Sequence, residues 1–221
     1  MAKSDDSDAD FDLTPQLLLN AYAAGVFPMS EYRNDPEVYW VDPRRRGVLP
    51  LGGFHVSRSL SRRMRRAGYR VTLNAAFADV IDACADRPET WISNEIRSLY
   101  IALHDLGHAH SIEVMSNGAL IGGVYGVTLG TAFFGESMFS RQRDASKLAL
   151  AHLVDHLARC RFTLFDTQFI TPHLATLGAV EISRAEYRKR LDAALRRRAD
   201  IDHVPLCTTP YSVVQRMTQT S

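Results

Sequence analysis

Residues 109–140 read AHSIEVMSNGALIGGVYGVTLGTAFFGESMFS, and the reading of this stretch decides the fold. Ser111 to Met115, Ala119 to Val127 and Thr131 to Phe139 are three apolar or alternating runs. The pairs Asn117-Gly118 and Leu129-Gly130 between them are hairpin signals, so an antiparallel meander is expected. One carboxylate, Glu136, interrupts the third run. In an extended chain alternate side chains share a face, which places Phe134, Glu136 and Met138 on one surface and Phe133, Gly135, Ser137 and Phe139 on the other. Burying an unpaired carboxylate costs several kcal/mol, so Glu136 needs a cation or hydrogen-bond donors. An internal Arg or Lys and an amine on a substrate satisfy that need equally well.

Outward from the meander, Asp144-Ala145-Ser146-Lys147 starts a helix in which Leu150, Leu153, Val154, Leu157 and Ala158 recur at i, i+3, i+4, i+7 and i+8. A strand from Phe162 to Ile170, a turn of helix from His173 to Gly178 and an amphipathic helix from Arg184 to about Arg198 follow. On the other side, Tyr69 to Leu73 reads as a strand, and Ala75 to Cys84 and Ser93 to Leu106 as helices, the second closed by Gly107. Thr14-Pro15 opens a helix with Leu17, Leu18, Ala21 and Tyr22 on its apolar face. From there to Pro50, the prolines at 28, 36 and 43 leave turns and short extended pieces. Ser57 to Arg66 is expected to be helical. The fold class is α/β (α+β), and the order matches the GNAT acyltransferase fold. The expected domains are an acidic disordered tail at 1–12, a small N-terminal lobe at 13–60, a GNAT-like catalytic domain at 61–200 and a C-terminal extension at 201–221.

A chain of 221 residues, 46% of them hydrophobic, is long enough to bury a full core. No run approaches the roughly 18 apolar residues of a membrane span, and the start is Met-Ala-Lys-Ser followed by acids, so a cytoplasmic protein without a membrane partner is expected. Cys84, Cys160 and Cys207 lack metal-ligand spacing and read as reduced bystanders. The net charge of +1 conceals an asymmetry: residues 5–12 carry five aspartates, while residues 43–70 carry nine arginines and no acid. That basic stretch favours a phosphate-bearing partner over a merely solvated face.

Asp166 and Gln168 alternate onto one face of the strand around Phe165, and the fold analogy brings them towards Glu136. His104 and His108 lie one helical turn apart, but Gly107 intervenes and no Glu follows His104, so hydrogen-bonding histidines are expected and no metal site. Ser137 and Ser140 lack a Gly-x-Ser-x-Gly setting. No phosphate-binding Gly-rich loop is present either; Arg141-Gln142-Arg143-Asp144 stands where a coenzyme-A enzyme would carry one.

Leu106-Gly107-His108-Ala109-His110-Ser111, Gly135-Glu136-Ser137-Met138-Phe139-Ser140-Arg141, Ala145-Ser146-Lys147, Asp166-x-Gln168 and Pro172-His173-Leu174-Ala175-x-x-Leu177-Gly178-Ala179 together resemble leucyl/phenylalanyl-tRNA-protein transferases. The resemblance runs from about Leu13 to Leu191. It implies transfer of Leu or Phe, less readily Met, from aminoacyl-tRNA to the α-amine of proteins beginning with Lys or Arg, marking them for degradation, with no cofactor or metal and a monomeric enzyme. By the same resemblance Asp166 and Gln168 are the catalytic pair and Glu136 holds the acceptor. Val124, Phe133, Met138, Leu150, Leu153 and Phe165 take the donor side chain. Trp91 and Trp40 stack the terminal adenine, and Arg58, Arg62, Arg63, Arg65 and Arg66 grip the acceptor stem. The family's usual Asp-Cys-Gln is Asp166-Thr167-Gln168 here, which speaks against a thiol nucleophile. The competing readings are another GNAT-like transferase, acetyl or peptidoglycan aminoacyl, and a noncatalytic RNA-binding module.

Overall fold

The structure, a computed structural model, describes residues 13–33, 35, 37–66 and 68–219, so the acidic stretch 1–12 lies outside it. The first half contains α1 (Pro15–Ala23), β1 (Phe27–Met29), β2 (Tyr39–Val41), β3 (Arg45–Val48), α2 (Arg58–Arg65), β4 (Arg70–Leu73), α3 (Phe77–Ala85) and α4 (Asn94–Asp105). Then come β5 (Ala109–Ser116), β6 (Ala119–Leu129), β7 (Ala132–Ser140), α5 (Ala145–Arg159), β8 (Leu164–Gln168), α6 (Pro172–Thr176), β9 (Val180–Ser183), α7 (Arg184–Leu195) and α8 (Pro210–Gln219).

The meander forms as expected. Asn117 and Gly118 both take positive φ, 50° and 77°, as a two-residue hairpin turn whose twist matches its strands requires. The strands lie in one sheet of order β4-β5-β6-β7-β8-β3-β9, and β1 and β2 form a separate ribbon. Every neighbouring pair in the large sheet is antiparallel except β7 and β8, which are parallel and joined through α5. This meander, helix and parallel strand give the mixed α/β, GNAT-like architecture.

Two apolar layers cover the sheet. One packs Leu60 and Met64 of α2, much of α5, and Val213, Val214 and Met217 of α8 against one face. The other packs Leu18 and Tyr22 of α1, α3, α4, and Tyr187 and Leu191 of α7 against the opposite face. β3 and β9 complete the sheet from segments that sequence patterning leaves as turns and connection. α8 lies in the stretch anticipated only as an extension.

Ideal alternation in β7 does not hold. Tyr125 pairs with Ser137 and Gly126 with Gly135, so Glu136 is an extra, bulged residue. The face assignment is corrected accordingly: Phe134, Glu136 and Ser137 point towards the α1, α3 and α4 layer, whereas Phe133 and Met138 both belong to the α5 layer. β8 carries a second irregularity, because its partners Gly47 and Val48 face Gln168 and Asp166, leaving Thr167 out.

Candidate active site

β7 and β8 pair only from Ala132–Leu164 to Phe134–Asp166. Beyond that point β7 continues to Ser140, while β8 turns to pair with β3. The strands part there, and the two bulged segments bring Glu136 and Gln168 together at the point of separation.

Glu136 is 9% exposed. Tyr22 Oη donates to its Oε1 at 2.7 Å, Tyr100 Oη to its Oε2 at 2.6 Å, and Gln168 Nε2 to Oε1 at 2.9 Å. The carboxyl therefore meets hydrogen-bond donors, and no Arg or Lys pairs with it among the described residues. The two tyrosine oxygens are themselves 2.7 Å apart. Three contacts thus link three groups, yet with Glu136 ionised only two hydroxyl protons are available to fill them. One proton on Glu136 closes the ring. Burial is the main influence on this carboxyl and pushes its pKa up to about 7, with the hydrogen bonds from Tyr100 and Tyr22 pulling the other way. Burial, and then the Glu136 charge, also raise the pKa values of both tyrosines.

Asp166 is fully buried and makes an ion pair with Arg46, itself 1% exposed. Arg46 Nε donates to Oδ1 at 2.9 Å and Nη2 to Oδ2 at 2.6 Å. Tyr187 Oη donates to Oδ2 at 2.7 Å, and the backbone N–H of Gln168 to Oδ1 at 2.8 Å. These donors occupy the lone pairs of the carboxylate. Asp166 reaches Gln168 only through the backbone N–H of that residue. Arg46 also donates to the Gly25 carbonyl and is sandwiched between the rings of Phe27 and Tyr187, 4.7 and 4.4 Å from its guanidinium carbon. Burial works against the Arg46 charge, but the hydrogen bonds and charge of Asp166 outweigh it and raise its pKa.

Gln168 adopts φ 60°, a left-handed conformation that is strained for a residue with a side chain. The Asp166 carboxylate holds it there, and Gly47 of β3 makes room: a Cβ on Gly47 would lie 2.7 Å from the carbonyl carbon of Phe169 and from Oγ1 of Thr167. With Nε2 held by Glu136, the Gln168 amide oxygen is left without a donor among the described residues. It is free to accept from an incoming N–H.

The remaining candidates are not equally close. Val124, Phe133, Leu150, Leu153 and Phe165 are buried in the α5 layer, and Met138 packs against it. The Phe133 and Phe165 rings meet edge-on at 5.1 Å, and Gly135 leaves the space beside Phe165 open to ring contact, since a Cβ there would sit 2.7 Å from that ring. This set borders the splay from the face opposite Tyr22 and Tyr100. Trp91 is brought to the network, edge-on to Tyr100 at 6.5 Å. Trp40, 39% exposed, sits on β2 of the separate ribbon opposite Pro28. The arginines of α2 line its outer surface: Arg58, Arg62, Arg65 and Arg66 are exposed, and Arg63 is half-buried over Tyr69. His104 and His108 bond the carbonyls of Ala109 and Thr128 through Nδ1.

Sequence reasoning missed Tyr22, Tyr100, Arg46 and Tyr187. The signal for the tyrosines was the demand of Glu136 for donors. Arg46 follows Arg44 and Arg45, and nothing local separates it from surface arginines.

Residues 48–192 match the family described as leucyl/phenylalanyl-tRNA protein transferase, and residues 11–44 match the N-terminal domain of the same family. The chain is 65% identical to the leucyl/phenylalanyl-tRNA–protein transferase of Ruegeria pomeroyi, over 95% of this chain and 99% of that protein. It is 63% identical to the protein of the same name from Cereibacter sphaeroides, over 95% and 98% of the two chains. Among solved structures it is similar to FemX, at 13% identity and a TM-score of 0.49, covering 78% of this chain and 68% of that one.

Proposed function

The chain belongs to the leucyl/phenylalanyl-tRNA–protein transferase family and is a tRNA-dependent aminoacyltransferase; from that premise we propose how the site where β7 and β8 part moves Leu or Phe, less readily Met, onto the α-amine of proteins beginning with Lys or Arg. The product is a protein marked for degradation. The enzyme works as a cytoplasmic monomer.

The observation that carries this reading is the ring of contacts among Glu136, Tyr22 and Tyr100, which is one proton short while Glu136 is ionised, beside the open amide oxygen of Gln168. An aminoacyl ester is already activated, so the protein must place an amine against the carbonyl and manage its protons. The acceptor arrives as an α-ammonium, a cation that favours ionised Glu136. Its proton passes to the carboxylate and completes the ring. Gln168 then holds the neutral amine by accepting one of its N–H groups. Attack forms the C–N bond and breaks the bond to the ribose oxygen, which takes the second proton that the nitrogen loses. Asp166 and Arg46 do not exchange protons in this scheme; they keep Gln168 in its left-handed conformation. The donor side chain lies among Val124, Phe133, Met138, Leu150, Leu153 and Phe165, a lining that rejects charge. Trp91 stacks the terminal adenine, with Trp40 further out, and the α2 arginines neutralise acceptor-stem phosphates without reading sequence.

Purified protein is expected to transfer labelled Phe from Phe-tRNA to a substrate with N-terminal Arg and not to one with N-terminal Glu. Absence of transfer under conditions where tRNA binds would defeat the reading.

A further inference from the structure

On α2 and its C-cap, Ser59, Arg62, Arg63 and Arg66 follow i, i+3, i+4 and i+7, so they form one stripe, turned away from buried Leu60 and Met64. The stripe faces the turn between β7 and α5. Ser59, Arg62, Arg63, Arg66, Arg143 and Asp144 together line a cavity of about 300 Å³. Four arginines and one acid thus line the same space, with the Arg143 side chain exposed to solvent. Arg62, Arg63 and Arg66 form no ion pair among the described residues. Asp144 Oδ2 lies 3.7 Å from Arg143 Nε, and its Oδ1 lies 3.4 Å from Lys147 Nζ.

We propose that Arg143 opposes the α2 stripe across this cavity and makes with it a two-sided clamp for a phosphodiester of the acceptor arm. The proposal rests on the aminoacyl-tRNA reading and adds a contact from a second element. Planar guanidinium groups match phosphate oxygens in pairs, and four of them converging from two elements leave a net positive hole of phosphate chemistry. The location fits the reaction. Arg143 lies seven residues after Glu136, at most about 25 Å along an extended chain, a span that one RNA can cover with its charged 3′ end at Glu136 and an acceptor phosphate at the cavity. Asp144 sets a limit on the grip, since it competes with the phosphate for Arg143.

The test is binding of deacylated tRNA across a range of salt concentrations. Arg143→Glu should weaken binding several-fold and lower the slope of log affinity against log salt by about 1. Asp144→Asn should tighten binding; Asn tolerates the positive φ of 65° at that position. Arg198→Glu is the control for net charge: it lies beside Ala199, whose N–H bonds Gly130 at the opposite end of β7, and it should bind as wild type does. If Arg143→Glu behaves like Arg198→Glu, the clamp is wrong and the transferase reading stands. If wild-type protein binds no tRNA, both fall together.

Discussion

At the scale of the residue, Glu136 carries a measurable stability cost. Its folded pKa, raised to about 7 from an ordinary 4.5, means that the folded state holds the proton more tightly than the unfolded chain. The cost is absent below the ordinary value, grows as pH rises and is complete above about pH 7, where it amounts to roughly 3 kcal/mol. Glu136→Gln mimics the protonated carboxyl, donating to Tyr100 and accepting from Tyr22. The variant should therefore melt higher than wild type near pH 8, with the advantage shrinking towards about pH 5; the same difference at both pH values would contradict the closed ring. Arg46 is the converse case, a cation whose loss strands a buried charge. Arg46→Met should cost about 3–5 kcal/mol in urea unfolding, and Asp166→Asn in the same chain should recover part of it.

At the scale of the element, the site depends on two irregular strands. Gly47→Ala pushes a methyl group into the Phe169 backbone and Thr167, and so should displace Gln168. Transfer activity should fall at least tenfold in that variant, while the melting temperature drops only modestly. Unchanged activity would remove β3 from the positioning of the site. The meander, α5, β8 and α7 were legible because their patterns are local: turn pairs, period-two runs and a long helical repeat. β3 and β9 are four residues each and gain their conformation only by pairing with strands far away in sequence. α8 had a readable start in Thr209-Pro210 and a readable face in Val213, Val214 and Met217. Glu136, Asp166 and Gln168 were legible as out-of-place polar groups on apolar strands. The bulge was legible only indirectly: strict alternation puts Phe133 and Met138 on opposite faces, and a shared donor pocket requires the strand to bulge near Gly135, as it does. The place of Met138 beside Phe133 follows from that bulge alone.

At the scale of the whole molecule, the C-terminal segment ties the basic helix α2 to the core. His152 and His156 of α5 bond the carbonyls of Cys207 and Ile201, Asp155 pairs with Arg216 at 2.6 Å, and Tyr211 lies under Arg65 of α2. Val213, Val214 and Met217 are buried against α5 and α2. Removing residues 210–221 should lower the melting temperature by roughly 10–35 °C, from three apolar side chains worth roughly 1.5–3 kcal/mol each, and should weaken tRNA binding by loosening α2. The molecule thus places a basic outer helix on one layer and the proton ring on the other, with the splay of β7 and β8 between them.

The most direct measurement is single-turnover transfer of Phe from Phe-tRNA to a saturating peptide with N-terminal Arg, followed from about pH 5.5 to about pH 8.5 in wild type and Glu136→Gln. The expected wild-type rate falls on the acid side as Glu136 becomes protonated, with a midpoint below the pKa of about 7 that burial gives the free protein, because the bound ammonium favours the ionised carboxylate. The variant should be slower by about 100-fold and lack that midpoint. Equal rates for the two proteins across the range would contradict the assignment of Glu136 as the group that takes the amine's proton.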